Sequence, residues 1–212
     1  MLGPLSVAIG LAGVGDLLAI WRGRRSLRYL FKPGTMFLII ALAAMALPSG
    51  GTSGYLVLAG LICSVAGDIF LVLPRSRFLV GLAAFFVAHL LYIAAFALDA
   101  VAFGLADGLL ALALLAVGLL FFGRVRPGVI REGGRAMLWP VGLYVVAISL
   151  MVLAAASTRQ PGLVAGAILF FASDAILAWN RFVRPLPLAD LGVMSSYFAA
   201  QYLIAVSLYA GF

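Results

Sequence analysis

Long apolar runs alternate with short polar connectors along the whole chain. Most runs approach the roughly 20 residues that an α-helix needs to cross the hydrocarbon core of a membrane. The runs are continuous and do not alternate between apolar and polar positions, so they do not have the pattern of a membrane β-barrel. The connectors are rich in glycine and proline and too short to hold a soluble domain, so we expect residues 1–212 to form a single integral membrane domain. The pattern predicts eight transmembrane helices, at about residues 4–21, 33–47, 55–73, 78–98, 107–123, 137–156, 162–180 and 188–210.

The composition supports the same fold class, an all-α polytopic membrane bundle. Hydrophobic residues make up 66% of the chain and charged residues only 10%, which is more apolar surface than a soluble domain of this size can bury. The positive charges near the N-terminus follow the first apolar run, which indicates a retained helix and not a cleaved signal peptide. Cys63 is the only cysteine, so the chain can form neither an internal disulfide nor a cysteine metal cluster.

The basic residues are unevenly distributed between the two sides of the predicted bundle. The net charge is +7, and 13 of the 14 basic residues fall on odd-numbered connectors, with Arg159 as the exception. The positive-inside rule then places the odd connectors in the cytoplasm and both termini outside. This distribution favours a topological role for the charge, so we expect no nucleic-acid partner, and some of these residues remain candidates for binding lipid phosphate. The thirteen residues are Arg22, Arg24, Arg25, Arg28, Lys32, Arg75, Arg77, Arg124, Arg126, Arg131, Arg135, Arg181 and Arg184.

Two acidic residues lie inside apolar runs. Asp68 lies within Tyr55–Leu73, and Asp174 lies within Leu163–Trp179. A carboxylate in hydrocarbon is costly, so it usually faces a bundle interior or a water-filled cavity. We expect the two acids to share one acidic site, although each could instead pair with an arginine or cap a backbone defect. Asp16, near the end of the first span, is a further candidate.

The sequences around the two acids also resemble each other. Ala66–Leu71 and Ala172–Leu177 align, and the two spans that contain them are separated by an even number of spans. This match indicates a weak internal repeat of four helices in parallel orientation. Both acids would then lie roughly 8 Å inside the cytoplasmic boundary of the membrane.

Several other polar residues occur within the apolar spans. His89 and Tyr92 share a helix face, and a buried histidine is either a hydrogen-bonded core residue or a proton carrier. With one histidine and scattered acids, a zinc site is not indicated, and we expect neither a metal nor another cofactor. Motifs of serine hydrolases and of phosphate-binding loops are not found. The remaining polar candidates for substrate contact, each with a structural alternative, are Lys32, Tyr144, Ser173, Asn180, Tyr197 and Gln201.

Five short motifs follow one another along the predicted spans: Lys32-Pro33, Gly67-Asp68, His89-x-x-Tyr92, Gly166-Ala167 with Phe170 and Ser173-Asp174, and Tyr197-x-x-Ala200-Gln201. In this order they resemble the YhhN family of multi-span membrane proteins, whose characterised members are lysoplasmalogenases. The resemblance covers about residues 28–208. It implies a lysophospholipid substrate whose vinyl-ether bond, or a related ether bond, is hydrolysed to a fatty aldehyde and a glycerophospho-headgroup. The motif residues carried over by position are Lys32, Asp68, His89, Tyr92, Ser173, Asp174, Tyr197 and Gln201.

Vinyl-ether hydrolysis suits a pair of carboxyl groups. It begins with proton transfer to the β-carbon and passes through an oxocarbenium-like transition state, as glycoside hydrolysis does. We therefore hypothesise that one of Asp68 and Asp174 is the general acid and that the other stabilises the cation or orients water, and the sequence does not assign the roles. His89 and Tyr92 would relay protons or hold the water. An apolar cavity would hold the alkenyl chain, and the phosphate would lie toward Lys32 and the arginines of the inner face.

Two alternatives from other functional classes remain open. Intramembrane acids, a midplane histidine and a parallel repeat also suit a proton-coupled transporter of lipids or small molecules. The second alternative is a lipid-binding or scaffold protein without chemistry. In each case we expect a multi-pass protein of the bacterial cytoplasmic membrane that is surrounded by membrane lipid, and its oligomeric state is left open.

Overall fold

The computed structural model describes residues 2–72 and 77–209, and in these ranges every regular element is helical. Seven of the described helices are long and apolar enough to cross a membrane. The prediction of an all-α polytopic membrane bundle is therefore confirmed. A short 3-10 helix, Arg135–Met137, precedes the sixth helix. The helices are α1 Leu2–Trp21, α2 Arg25–Pro48, α3 Gly50–Leu71, α4 Phe78–Leu98, α5 Leu105–Gly133, α6 Leu138–Ser157, α7 Pro161–Phe182 and α8 Ala189–Ser207.

Helices α2 and α3 are two parts of one helical segment, Arg25–Val72, that is kinked at Gly51. Gly51 has φ 51° and ψ −151°, a backbone conformation that glycine adopts without steric cost. Pro48, on the preceding turn, has no backbone N–H to donate and so weakens the regular helix there. The connector predicted between the second and third spans is therefore only a kink.

The last helix, α8, is as long as a membrane span but less apolar than the other seven. It carries Asp190 in its first turn, Gln201 and three serines. It packs mainly against α7, and it also contacts α1 and the Arg25–Val72 segment. Gln201 and Ser207 are buried against other helices, whereas Asp190 and Ser195 are exposed. This burial is what allows a helix of lower hydropathy to belong to the bundle.

Two predicted boundaries are wrong, and both errors have the same cause. Helix α2 begins at Arg25 and not at residue 33, so Lys32 and Pro33 lie inside a helix and not at its start. Helix α5 continues to Gly133 and not to residue 123. Arginine is a good helix former, so each helix extends past the end of its apolar run. Arg75 lies outside the described residues, and the orientation of the bundle across the membrane stays a prediction.

The exception to the charge distribution, Arg159, is neutralised by an ion pair. Its guanidinium donates to both carboxylate oxygens of Asp107, at 2.7 and 2.5 Å. Asp107 lies in the first turn of α5 and also accepts a hydrogen bond from the backbone N–H of Gly104. The positive-inside rule counts lysine and arginine and not net charge, so Arg159 stays the one exception to the predicted distribution although its charge is paired.

Helix α3 approaches α4 closely because two glycines face aromatic rings. A Cβ atom at Gly60 would lie 2.5 Å from the ring of Tyr92, and one at Gly67 would lie 2.6 Å from the ring of Phe85. These distances are shorter than a van der Waals contact, so the rings occupy the space that a side chain would fill. Small residues that let helices approach closely are typical of membrane bundles. The contact fixes the α4 face that carries Phe85, His89 and Tyr92.

We predict that Gly60→Ala destabilises the bundle by about 1–3 kcal/mol, because the added methyl group forces the buried Tyr92 ring to move. The matched control is Gly10→Ala on α1, where an added Cβ would meet nothing within 4 Å. Both substitutions raise helix propensity by the same amount. Thermal unfolding of the purified variants in detergent should give a lower midpoint for Gly60→Ala alone. Equal midpoints would show that the close approach is not required.

Candidate active site

A polar cavity of about 420 Å³ lies between α2, α3, α7 and α8, with one wall residue from α4. Both intramembrane acids, Asp68 on α3 and Asp174 on α7, line this cavity. Its volume falls within the range of about 300–1,000 Å³ that is typical of small-molecule sites. The structure therefore brings the two acids together from helices that are more than a hundred residues apart in sequence.

Asp68 is almost completely buried, and both of its carboxylate oxygens have partners from other helices. The Lys32 ammonium on α2 lies 2.9 Å from Oδ1, and the Tyr197 hydroxyl on α8 donates to Oδ2 at 2.8 Å. A cation and a donated hydroxyl both favour the ionised form of a buried carboxylate and hold it in one orientation. Asp68 is thus fixed in the cavity wall beside a cation.

Asp174 has a different environment. Its Oδ2 accepts a hydrogen bond of 2.5 Å from the hydroxyl of Tyr144 on α6, and its side chain is 14% exposed, twice the 7% of Asp68. Among the described residues, no lysine or arginine forms an ion pair with Asp174. The two acids therefore differ in the way that acid and base pairs in enzymes differ, since one is charge-neutralised and the other is not.

A second, apolar cavity of about 60 Å³ adjoins the first. Asp174 lines both cavities, as do Leu71, Phe85 and Leu177. The other walls of the apolar cavity are mainly aromatic and aliphatic side chains of α4, α6 and α7, and Phe121 of α5. Asp174 thus stands at the boundary between a polar space and an apolar one.

His89 lies behind Asp174 and does not line the polar cavity. Its Nδ1 is 2.6 Å from the backbone carbonyl of Phe85, which can only accept, so Nδ1 carries the proton. Its Nε2 is 3.7 Å from Asp174 Oδ2, too far for a hydrogen bond in this state. The ring is fully buried and packs between the rings of Tyr144 and Phe170. The free nitrogen lone pair therefore faces the carboxyl group of Asp174.

Tyr92 and Gln201 are placed away from the polar cavity. The hydroxyl of Tyr92 donates to Oε1 of Gln201 at 2.8 Å, and both side chains are fully buried. This bond joins α4 to α8 inside the core. Neither side chain lines the polar cavity, so the bond lies where helices pack, and the predicted roles of Tyr92 and Gln201 stay predictions.

The remaining sequence candidates have mixed positions. Ser173 lines the cavity, but its hydroxyl donates to the backbone carbonyl of Val193. The Oδ1 of Asn180 accepts a hydrogen bond from the backbone N–H of Leu186, which stabilises the turn between α7 and α8. Asn180 is not among the residues that line the polar or the apolar cavity. Tyr144 lines the apolar cavity and holds Asp174.

The mouth of the polar cavity contains basic residues of the first predicted connector, for which the sequence left open a topological role or the binding of lipid phosphate. Arg25, Arg28, Tyr29 and Asp190 line it together with Lys32. The four residues of α2 recur every three or four positions and so share one helix face. The error in the start of α2 concealed this periodicity.

Asp16 on α1 is fully buried, and neither of its carboxylate oxygens has a hydrogen-bond partner. It is not among the residues that line the polar cavity. Within the described residues, no group of three or more histidine, cysteine, aspartate or glutamate side chains is close enough to share a metal ion.

The amino-acid sequence is similar to those of membrane proteins from bacteria and mammals. Human lysoplasmalogenase TMEM86B is 40% identical over 164 residues, which cover 76% of this chain and 66% of the human protein. The membrane protein YhhN of Escherichia coli O157:H7 is 32% identical over 213 residues, which cover 96% of this chain and 97% of the relative. Bovine lysoplasmalogenase TMEM86A is 35% identical over 162 residues, which cover 71% of this chain and 64% of the relative.

The chain thus spans about two thirds of the length of these mammalian relatives. No solved structure gives a significant match. The YhhN family matches residues 27–208, a range that contains every residue lining the polar cavity except Arg25. The chain belongs to the YhhN family.

Proposed function

We propose that this protein is a membrane lysoplasmalogenase, which hydrolyses the vinyl-ether bond of a lysoplasmalogen, or of a related lysolipid, to a fatty aldehyde and a glycerophospho-headgroup. The observation that carries the proposal is the pair of unequal acids in one cavity, with Asp174 at the boundary between polar and apolar space. The names of the human and bovine relatives support the same activity.

The two adjoining cavities suit an amphipathic substrate. A lysolipid has a charged headgroup at one end and a single hydrocarbon chain at the other, and the ether bond lies where they join. With the headgroup in the polar cavity and the start of the chain in the apolar one, the vinyl ether would lie beside Asp174. The polarity of the cavity walls changes at Asp174, as the polarity of the lipid changes at its ether bond.

The environments of the two acids support a division of roles. Asp174, without a cation partner, is the proton donor to the β-carbon of the vinyl ether. Asp68, held ionised by Lys32 and Tyr197, is the negative charge that stabilises the oxocarbenium-like transition state. His89 supports Asp174 from behind, where its Nε2 lone pair can accept a proton.

The proposed reaction has three steps, which are protonation of the vinyl ether, addition of water and collapse of the hemiacetal. Asp174 transfers its proton to the β-carbon, and positive charge develops on the α-carbon and the ether oxygen. Water adds to the α-carbon, and its proton passes to the Asp174 carboxylate. The resulting hemiacetal breaks its bond to the glycerol oxygen, which takes up the hemiacetal proton. The products are an aldehyde and an alcohol, and the acid is again protonated.

We also infer that the protein lies in the bacterial cytoplasmic membrane with the polar cavity at the cytoplasmic side. The cavity mouth is formed by Arg25, Arg28 and Lys32, which belong to the first basic connector. The positive-inside rule assigns this end of the bundle to the cytoplasm. The substrate would then enter from the inner leaflet.

We predict that Asp174→Asn lowers kcat by at least about 100-fold, because an amide cannot donate the required proton. The fold should be retained, since the Asn oxygen can still accept from Tyr144. Aldehyde release from an alkenyl lysolipid by purified protein in detergent is the measurement. Asp99→Asn, at the C-terminal end of α4, is the control that removes a carboxyl group far from the cavity. Wild-type turnover in the Asp174 variant would rule out the assigned acid.

A second prediction separates stability from catalysis at Asp68. Asp68→Asn should lower both the unfolding midpoint and activity, because it leaves the Lys32 ammonium buried without a counter-charge, at a cost of about 3–5 kcal/mol. Adding Lys32→Met should restore the unfolding midpoint and leave activity low, since the negative charge is still missing. Thermal unfolding and aldehyde release are measured on the same samples. Recovered activity in the double variant would contradict the electrostatic role of Asp68.

A third prediction tests the chemistry against transport or simple binding. A lysolipid with a saturated ether chain should bind as a competitive inhibitor and remain intact, because it has no carbon to protonate. The alkenyl lipid should yield aldehyde and headgroup in equal amounts in detergent, where no compartment exists for transport. Lipid that stays unchanged under these conditions would favour the transporter or the binding protein.

A further inference from the structure

An exposed ion pair spans the mouth of the polar cavity and joins α2 to α8. Arg28 Nη1 donates to Asp190 Oδ2 at 2.8 Å, and the two side chains are 26% and 55% exposed. Ion pairs this exposed contribute little to stability, so such a pair can be replaced by other charges at small cost. Both residues line the cavity that contains Asp68 and Asp174.

The distance between the Arg28–Asp190 pair and the level of Asp68 matches the distance between the phosphate and the ether bond of a lysolipid. Arg28 is one turn before Lys32 on α2, and Asp190 is two turns before Tyr197 on α8, while Lys32 and Tyr197 both contact Asp68. With a rise of 1.5 Å per residue, the mouth lies about 6–10 Å from the Asp68 level. The three-carbon glycerol unit that separates a phosphate from the ether bond spans a comparable distance.

The charges at the mouth are of both signs and are available to a ligand. Lys32 is already paired with Asp68, which leaves Arg25 and Arg28 as the cations of the lining. Nε of Arg28 is buried and has no hydrogen-bond partner. A guanidinium matches the planar, two-point geometry of phosphate oxygens. Asp190 supplies a carboxylate on the opposite wall.

We infer that the Arg28–Asp190 pair is exchangeable and selects zwitterionic headgroups. On binding, the phosphate of the lipid takes the place of Asp190 on the Arg28 guanidinium, and the ammonium of the headgroup takes the place of Arg28 on the Asp190 carboxylate. For a zwitterion, one ion pair within the protein is replaced by two ion pairs between protein and lipid, so neither Arg28 nor Asp190 is left without a partner. A purely anionic headgroup leaves Asp190 without a partner and beside negative charge, so it is disfavoured. The inference rests on the proposed function, which places the hydrocarbon chain of the lipid in the apolar cavity and its headgroup in the polar one.

The experiment measures binding of three lysolipids that share one saturated ether chain, which cannot be hydrolysed. The headgroups are phosphoethanolamine, phosphocholine and phosphoglycerol, and the last has the phosphate without an ammonium. Wild-type protein in detergent should prefer the two zwitterions. Asp190→Asn should weaken binding of both zwitterions by about two- to fivefold and leave phosphoglycerol binding unchanged or stronger. Arg28→Met should weaken all three, because the phosphate is common to them.

Two controls separate recognition from a structural role. Asp190→Glu keeps the carboxylate and should retain the preference, and Asp99→Asn should bind all three lipids as the wild type does. A uniform change for the three lipids in Asp190→Asn, or no change, would overturn the inference. If the preference is present but the alkenyl lipids are not cleaved, the proposed function fails and the headgroup site stands. If the alkenyl lipids are cleaved without a headgroup preference, the headgroup site fails and the proposed function stands.

Discussion

The cost of placing a carboxylate in a membrane bundle determines how this structure is assembled. Asp68 can be buried only because an ammonium and a hydroxyl reach its two oxygens, and these groups come from α2 and α8. The ion pair is of little use for net stability, since desolvation of both charges offsets their attraction. Removal of either Lys32 or Asp68 alone would nevertheless leave the other charge buried without a partner. The kinked segment formed by α2 and α3 and the distant helix α8 are therefore obliged to meet at one point, and the polar cavity forms around that point.

The contacts of the two acids follow one scheme with different chemistry. Asp68 is met by Lys32 from the preceding α2 and by Tyr197 from the last helix, while Asp174 is met by Tyr144 from the preceding α6 and faces His89 on α4. This is the pattern that a parallel repeat of four helices would produce, with each acid approached by the last helix of the other half. The repeat itself stays a prediction. The difference between an ammonium and a phenol is what makes the two carboxyl groups unequal.

The sequence predicts a feature well when the free energy that controls it depends on the residue type alone, as hydropathy and the cost of burying a charge do. Hydropathy predicts the helices, and the cost of a buried charge predicts that Asp68 and Asp174 face the interior. The partner of each acid depends on packing between distant segments and has no local pattern. Tyr92 illustrates the limit, because it shares a helix face with His89, yet its ring lies against Gly60, and its hydroxyl bonds Gln201 one layer behind the cavity. The basic mouth was predicted only in general terms, as arginines of the inner face near the phosphate, since arginines in a helix that extends beyond the apolar run resemble a basic connector.

The position of Asp174 connects the energetics of the fold to the chemistry that we propose. An acid at a boundary between polar and apolar space is desolvated on one side and reachable by water on the other. The ether bond of a lysolipid occupies the same kind of boundary within the lipid, so burial of the chain and solvation of the headgroup together place the bond beside the acid. Binding energy from both ends of the substrate is then used to orient the reacting atoms, which is a large part of catalysis.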